Sequence, residues 1–319
     1  MGRVTHADTQ RMMAYLLANR KEPYFTVTVQ SAVAPFNYSF TPYITAGQSF
    51  WVDWGDGSEE TFTTASTAEK SHEYSSSGTY TVRMLGSAGI NRVRISPTDA
   101  GQRALVISSN GNLDKLGTIT VTTDMFRACT NLVMTELTGG ITSVDNNAFY
   151  NCANLALTSL PEGVTSIGTN AFYNCTNLAL TSLPEGITSI TDYAFYGCTN
   201  ITLTSLPANV TSILNNAFDA CRNLALTSLP DGITSISSKT FAGCIKLALT
   251  SLPEGVTTID INAFYSCTSI DNLIFLGTPT SIATNAFNAS GANLYVPWSL
   301  GAVAGAPWGA ASVTYDYTP

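Results

Sequence analysis

The arrangement of apolar and polar positions repeats every 23 residues over more than half of the chain. A phenylalanine marks each repeat, at positions Phe126, Phe149, Phe172, Phe195, Phe218, Phe241, Phe264 and Phe287. A cysteine follows three residues later in seven repeats, at Cys129, Cys152, Cys175, Cys198, Cys221, Cys244 and Cys267, and Ser290 takes that position in the last. A constant period of roughly 20 to 29 residues predicts a solenoid in which each repeat is one coil.

Residues 172–194 show how one repeat becomes one coil. The Leu-x-Leu alternation at 178–180 predicts a short strand with both leucines pointing inward. Pro-Glu-Gly at 184–186 predicts a turn, because proline presets φ and glycine closes the turn. Ile187 and Ile190 are expected to face inward on the opposite side of the coil. No single coil can bury both faces, so stacking of the coils supplies the core.

The full repeat reads Cys-x-x-Leu-x-Leu-x-x-Leu-Pro, then Val/Ile-x-x-Ile, then Ala-Phe-x-x-Cys. This pattern resembles the BspA-like class of leucine-rich repeat over about residues 121–290. The resemblance implies a curved, right-handed solenoid that binds other macromolecules and has no catalytic activity.

The N-terminal third has a different pattern. Residues 25–29 alternate as a strand, and residues 50–58 form a strand that enters a tight turn at Asp56-Gly57. The motifs Val52-Asp53-Trp54-Gly55-Asp56-Gly57 and His72-x-Tyr74-x-x-x-Gly78-x-Tyr80-x-Val82 resemble those of the PKD domain, with a slight departure in the placement of Trp51 and Trp54. The resemblance implies a small immunoglobulin-like β-sandwich.

The sequence therefore predicts a mostly β protein with short turns and 3-10 segments, a right-handed leucine-rich-repeat solenoid preceded by an immunoglobulin-like β-sandwich. We expect an amphipathic helix over 1–22, the PKD-like sandwich over 23–97, a linker or solenoid cap over 98–120, repeats over 121–290 and a C-terminal cap over 291–319. The first segment fits a capped helix better than a signal peptide, because Asn-Arg-Lys follows its short apolar run.

Charge and hydropathy limit the partners. Only 11% of the residues are charged and the net charge is −8, with no Lys/Arg run to bind a phosphate backbone, so nucleic acid is excluded. Residues 121–290 hold 11 acidic and 4 basic side chains. No stretch of 18 apolar residues is present, so no insertion into a membrane is expected. The oligomeric state stays open.

The seven cysteines are one structural position repeated seven times. Equivalent residues of stacked coils lie about 4.8 Å apart, so disulfides between neighbouring coils are sterically possible. Their side chains would nevertheless point in parallel into the core, where free cysteine behaves as a small apolar residue. The sequence favours a reduced, buried row of thiols.

The search for chemistry predicts no catalytic residue, no cofactor and no metal site. The only histidines are His6 and His72, which excludes a site built from several histidines. Asp53, Asp56 and His72 are interpreted as structural positions of the hairpin rather than a catalytic cluster. Carboxylates recur in the Pro-x-Gly turn, where one per coil is too few for a calcium site and a solvated turn is preferred: Glu162, Glu185, Asp231 and Glu254.

Two repeated surfaces are candidates for binding. The first is a tyrosine row, the residues that follow the repeated phenylalanine: Tyr150, Tyr173, Tyr196 and Tyr265. The second is an uncharged strand face, which includes Asn177, Thr181, Asn200, Thr202 and Thr204. Tyrosine offers a large contact area at low entropic cost, which suits capture of protein or glycan. The alternative is that these rings only cover the turn.

These features predict a non-enzymatic binding or adhesion protein of the bacterial cell surface that recognises an extracellular protein or glycan through the solenoid. The alternative is a phage or prophage tail or virion component that recognises a host. The ending, with Trp298, Trp308 and an alternating segment at 311–317, resembles that of prophage-encoded repeat proteins.

Overall fold

The structure is a computed structural model that describes residues 24–86, 92–97, 100–103, 105–109, 120–138, 140–299 and 303–318. The helix predicted over 1–22 lies outside the described residues. Within them the chain is almost entirely strand and turn, and its one helix has four residues.

The N-terminal part forms two antiparallel sheets. Its elements are β1 Phe25–Ser31, β2 Phe36–Pro42, β3 Phe50–Asp53, β4 Glu59–Phe62, β5 Lys70–Tyr74, β6 Gly78–Gly86, β7 Val93–Arg94, α1 Ala100–Arg103 and β8 Val106–Ser109. One sheet has the order β4-β3-β6-β1-β8 and the other β5-β2-β7. The two sheets share one core, because the ring of Phe40 on β2 lies 5.4 Å from Phe50 and 5.6 Å from Trp54.

The hairpin predicted at Asp56-Gly57 joins β3 to β4. Its loop is closed by a hydrogen bond from the Trp54 N–H to the Ser58 carbonyl, 3.0 Å. Gly55 has φ 84° and Gly57 has φ 97°, backbone conformations that favour glycine. A Cβ on Gly55 would also lie only 2.6 Å from the Thr81 carbonyl oxygen of β6. Gly55 therefore lets the hairpin lie against the neighbouring strand, and Gly57 supplies the left-handed conformation of the turn.

The repeats form a β-solenoid of stacked coils. The strands of this part are β9 Thr120–Val121, β10 Ser143–Val144, β11 Ser166–Ile167, β12 Ser189–Ile190, β13 Ser212–Ile213, β14 Ser235–Ile236, β15 Ser251–Leu252, β16 Thr258–Ile259, β17 Asn272–Phe275, β18 Ser281–Ile282, β19 Asn293–Tyr295 and β20 Ser312–Thr314. Ser143 pairs with Ser166, and Ser189 with Ser212, in parallel register 23 residues apart. One 23-residue repeat of the sequence therefore forms one coil of the solenoid.

The strand predicted at Leu178-x-Leu180 is wrong, although both leucines are fully buried as expected. The Ala179 N–H donates to the Leu157 carbonyl of the preceding coil at 3.0 Å, but this segment does not form a paired strand. In this coil pairing occurs instead on the opposite side, at Ser189–Ile190. The Leu-x-Leu side forms paired strands in the last coils, where Ser251–Leu252 pairs with Ile274–Phe275. An alternating pattern reports which side chains are buried, but it does not determine which backbone segments form a paired strand.

The Ala-Phe-x-x-Cys segments form consecutive hydrogen-bonded turns, and the predicted 3-10 helix is not formed in the described residues. Two positions per coil have a left-handed backbone, which interrupts any helix. The first is held by Asp124, Asn147, Asn170, Tyr193, Asn216, Lys239 and Asn262. The second is held by Ala128, Asn151, Asn174, Gly197, Ala220, Gly243, Ser266 and Ala289.

A column of stacked phenylalanine rings, the phenylalanine ladder, runs through the core. It consists of Phe126, Phe149, Phe172, Phe195, Phe218, Phe241, Phe264 and Phe287, all fully buried. Successive ring centroids lie 5.0–5.9 Å apart and the ring planes differ by 2–15°. Each ring therefore fills the space between neighbouring coils.

The cysteines form a second column beside the ladder, and their predicted burial is confirmed. Six of the seven thiols donate to the carbonyl oxygen of the ladder phenylalanine one coil earlier at 2.9–3.0 Å: Cys152, Cys175, Cys198, Cys221, Cys244 and Cys267. Burial raises the pKa of all seven thiols, and that of Cys129 to about 12. Each cysteine is thus a small core residue, and six of the seven also bond to a buried carbonyl.

Both ends of the solenoid core are covered. At the N-terminal end, the backbone N–H groups of Ile95 and Ser96 donate to the Met125 carbonyl at 2.9 and 2.7 Å. At the C-terminal end, the side chain of Trp308 is fully buried, and its backbone carbonyl accepts a hydrogen bond from the Phe287 N–H at 2.9 Å. The last coils would otherwise expose their apolar faces to water.

Candidate functional site

The first three residues of the predicted tyrosine row stack on one another. The ring centroids of Tyr150 and Tyr173 lie 4.7 Å apart with an 11° angle, and those of Tyr173 and Tyr196 lie 4.6 Å apart with an 8° angle. All three side chains are half-buried. Because the ring faces cover one another, the row presents ring edges to solvent.

Backbone hydrogen bonds hold this row in position. Each coil is tied to the next by three N–H donors in the turn, for example Asn170 to the Asp192 carbonyl, Phe172 to Ala194 and Asn174 to Tyr196, at 2.7–3.1 Å. The tyrosine directly follows the ladder phenylalanine, so its backbone takes the spacing of the buried ladder. The rigid core therefore sets the geometry of the exposed row.

A basic and an acidic side chain occupy the same repeat position at the two ends of the stack. The Arg127 guanidinium lies 5.0 Å from the ring centroid of Tyr150 and bonds to Asp124. Asp219 follows Tyr196 and accepts a hydrogen bond from the Asn216 amide at 2.9 Å. Burial raises the pKa of Asp219, and burial followed by the neighbouring tyrosines raises the pKa of Tyr173.

A fourth tyrosine belongs to this cluster and was missed by the sequence reasoning. The ring of Tyr193 lies 6.3 Å from Tyr173 and 5.9 Å from Tyr196, tilted by 46° and 51°. Its side chain is 37% exposed. A signal was present in the sequence, because this repeat position holds asparagine in five other described coils: Asn147, Asn170, Asn216, Asn262 and Asn285.

The other predicted site residues lie apart from the stack. Tyr265 is 44% exposed and is separated from Tyr196 by the coils that carry Asp219 and Ala242. The residues of the strand face are all exposed: Asn177, Thr181, Asn200, Thr202 and Thr204. The Asn177 amide donates to the Asn154 side chain of the preceding coil at 3.3 Å. The structure therefore places three of the nine predicted residues in the tyrosine stack, and adds Tyr193 and Arg127 to that cluster.

The N-terminal hairpin brings Ser58, His72 and Asp56 together. Asp56 Oδ2 lies 2.7 Å from His72 Nε2, and Asp56 Oδ1 accepts from the Ser58 hydroxyl at 2.6 Å. Ser58 Oγ lies 3.5 Å from the same His72 nitrogen. Asp56 and Ser58 thus both approach the Nε2 atom of His72. In a catalytic triad the acid and the nucleophile bond to opposite nitrogens of the histidine. This arrangement supports the structural interpretation of the motif.

The other motif residues also have structural partners. Asp53 accepts from the Gly55 N–H at 2.8 Å and pairs with Arg83 at 2.9 Å. The His72 ring stacks on Trp54 with a centroid distance of 5.0 Å. These contacts occupy the side chains that a metal or catalytic site would need.

Acid is expected to weaken the hairpin. Burial alone would raise the pKa of Asp56, but hydrogen bonds from Ser58 and His72 lower it to about 2. Because the unfolded pKa is about 3.9, this stabilisation is complete above about pH 4 and is lost as the pH falls towards 2. Urea midpoints should show Asp56→Asn destabilised at pH 6 and progressively less so at pH 3.

The control for this prediction is Glu73→Gln, which removes an exposed carboxylate from the same strand as His72. A constant difference between Asp56→Asn and the unmodified protein from pH 6 to pH 2.5 would contradict the proposed role of the carboxylate.

The carboxylates of the Pro-x-Gly turn are all exposed: Glu162, Glu185, Asp231 and Glu254. Among the described residues, no group of three or more histidine, cysteine or acidic side chains is arranged to hold a metal ion. No helix in the same ranges is long and apolar enough to cross a bilayer.

Stacked coils with inward leucines and isoleucines around a phenylalanine ladder define a leucine-rich-repeat protein of the β-solenoid kind. The chain belongs to the family of the BspA type leucine rich repeat region, whose model matches in six copies over residues 112–225 and 165–293, more than half of the chain. This confirms the resemblance seen in the repeat. A search of curated proteins gives no significant match.

Three solved structures are similar to parts of the chain. A leucine-rich repeat protein from Bacteroides ovatus has 19% identity and a TM-score of 0.44, over 62% of this chain and 58% of its own. The Treponema pallidum leucine rich repeat protein has 29% identity and a TM-score of 0.37, over 51% and 72%. A leucine rich cell surface protein from Faecalibacterium prausnitzii has 20% identity and a TM-score of 0.29, over 63% and 70%. The chain thus spans less than two thirds of the Bacteroides ovatus protein.

Proposed function

We propose that this chain is a non-enzymatic binding or adhesion protein of the bacterial surface, which captures an extracellular protein or glycan through its solenoid. Membership of the BspA type repeat family supports a repeat-based binding role, since leucine-rich repeats commonly bind protein partners. The observation that carries the proposal is the tyrosine stack of Tyr150, Tyr173 and Tyr196. The comparisons give no support to the phage alternative.

The stack fits a binding surface because of its shape and rigidity. Tyrosine is enriched in the energetic centres of interfaces, where it combines apolar area with a polar tip. Here the rings are fixed by stacking and by the backbone bonds of the turns, so binding would order few side chains. Repetition over consecutive coils extends the contact along the solenoid.

The proposal also treats residues 24–97 as a PKD-like module that supports the solenoid rather than binding the partner. Three motif residues pack on one another in its core: Tyr74 donates to the Trp54 carbonyl at 2.9 Å, and the Tyr74 and Tyr80 rings lie 4.2 Å apart. The ring of Phe25 lies 6.3 Å from Phe126, the first ring of the ladder. These motif residues therefore serve packing, which supports a scaffold role.

A triple variant tests the proposal. The full chain is screened on an array of secreted and cell-surface proteins and of glycans, and Tyr150→Ser, Tyr173→Ser and Tyr196→Ser are then combined. We expect binding at least about tenfold weaker, since tyrosines at interface centres each contribute about 1–2 kcal/mol. Circular dichroism and the urea midpoint must show that the triple variant stays folded.

A second variant, Thr181→Lys with Thr204→Lys, changes the strand face while leaving the stack intact. Full binding by the folded triple variant, with loss in the lysine variant, would move the site to the strand face. Full binding by both variants would contradict a solenoid surface of either kind.

A further inference from the structure

Tyr193 has an unfavourable backbone for its residue type. Its φ is 55°, in the left-handed region that bulky side chains rarely adopt. The same position holds Asn147, Asn170, Asn216 and Asn262 at φ 56–57° in other coils, and asparagine tolerates this region. Strain of this kind is retained at functional sites more often than elsewhere.

The fold gains little from the aromatic ring that causes this strain. The Tyr193 side chain is 37% exposed, and it touches the edge of the stack rather than the buried ladder. Because the ring is tilted by 46–51° to its neighbours, its faces are not covered as theirs are. Tyr193 therefore offers an accessible aromatic face beside Tyr173 and Tyr196.

The charges around this face favour a cation. Asp192 directly precedes Tyr193 and accepts hydrogen bonds from Asn215. Asp219 follows Tyr196 in the row, with Lys239 near it. The repeats as a whole carry 11 acidic against 4 basic residues, so the excess charge is negative. The row already packs against one cationic side chain of this chain, because the Arg127 guanidinium lies 5.0 Å from the ring centroid of Tyr150. A cation over the face of an aromatic ring is attracted by the ring quadrupole.

We propose that Tyr193, with Tyr173 and Tyr196, forms a recognition site for an arginine or lysine side chain of a protein partner. This inference rests on the proposed function and specifies the chemistry of the partner. The stack is less suited to sugar rings, because the flat faces that would contact them are covered by neighbouring tyrosines.

The test compares full chains that differ only at position 193, with poly-L-arginine of about 20 residues as the probe. Tyr193→Asn keeps the net charge and installs the residue found in other coils, so its urea midpoint should equal or exceed that of the unmodified protein. Its affinity for poly-L-arginine should fall about two- to fivefold, the range for a cation on an exposed ring. Tyr193→Phe keeps the ring face and should retain the affinity.

The matched control is Ile261→Asn, which removes another exposed apolar side chain of the repeats without changing the charge. It should leave poly-L-arginine binding unchanged. Equal affinity of Tyr193→Asn and the unmodified protein would overturn the proposal, as would loss of binding in Tyr193→Phe. Binding of maltoheptaose that is lost in Tyr193→Asn would instead assign the cluster to glycan.

The two proposals fail in different ways. If the triple tyrosine variant loses its array partner while Tyr193→Asn keeps its affinity for poly-L-arginine, the row binds but the cation site is wrong. If Tyr193→Asn loses poly-L-arginine while the triple variant keeps its array partner, the cation site stands and the proposed function is wrong.

Discussion

Replacing Phe195 with alanine is expected to destabilise the solenoid by about 3–5 kcal/mol. The ring is fully buried, and the parallel rings of Phe172 and Phe218 lie 5.5 and 5.4 Å away. The cavity cannot close easily, because the Phe195 N–H is fixed to the Ala217 carbonyl of the next coil at 2.9 Å. Urea midpoints of the full chain, followed by circular dichroism, measure the loss.

The matched control is Thr204→Ala, an exposed position in the same coil, with an expected change within about 0.5 kcal/mol. Stability in a stacked array is the sum of coil and nearest-neighbour contributions, so hydrogen exchange should show the loss concentrated in the coils around Phe195. A loss below about 1 kcal/mol would mean that the ladder does not stabilise the array as its burial indicates.

The sequence predicts the solenoid well because the repeat encodes burial directly. A phenylalanine and a cysteine every 23 residues can be buried together only if successive repeats stack. The apolar positions Leu178, Leu180 and Ile187 are fully buried as expected. These conclusions need only the spacing of residue types.

Hydrogen-bond pairing could not be obtained in this way. Both sides of the coil carry apolar residues at alternating or near-alternating positions, so periodicity does not distinguish the Leu-x-Leu side from the Ser189–Ile190 side. The coil backbones come within hydrogen-bond distance on both sides, since the Thr202 N–H donates to the Leu180 carbonyl at 3.0 Å, so the backbone conformation decides where strands pair. The tight turns between the two sides use left-handed residues such as Asn170 and Asn174. Their φ angles are not visible in the sequence pattern.

The candidate site was predicted only in part for a similar reason. The position after each ladder phenylalanine identifies the row, but ring stacking depends on coil spacing. Tyr193 differs from the asparagine of other coils, and that difference acquires meaning only when its φ of 55° is known. The contact of Phe25 with Phe126 joins two segments whose patterns are unrelated, so periodicity could not predict it.

The seven thiols are expected to react with a thiol reagent on the order of a thousandfold more slowly in the folded chain than in denaturant, which corresponds to local opening of about 4 kcal/mol. Burial raises their pKa values, and the thiolate is the reactive species. Six of the thiols also donate to a phenylalanine carbonyl, as Cys198 does to Phe172 at 3.0 Å. Labelling with dithionitrobenzoate in buffer and in urea measures the ratio.

The same burial makes stability depend on alkaline pH. The folded-state pKa of each thiol is raised above the unfolded value of about 8.5, so the stabilisation is complete below about pH 8. Above pH 8.5 the unfolded chain releases thiol protons that the folded chain retains, and stability falls by about 1.4 kcal/mol per pH unit for each thiol. Urea midpoints should therefore drop steeply between pH 8.5 and 10.

Two control variants distinguish the effect of the buried cysteines from general effects of pH and of the labelling reagent. Thr181→Cys places a thiol at an exposed position and should react at once in native buffer, which calibrates the assay. Cys198→Ala removes one buried thiol and should reduce the alkaline slope by about 1.4 kcal/mol per pH unit. Rapid native labelling of most cysteines would contradict a buried column. If the cysteines of the denatured chain could be labelled only after a reductant was added, they would be paired in disulfides between coils. That outcome would contradict the free, hydrogen-bonded thiols of the solenoid.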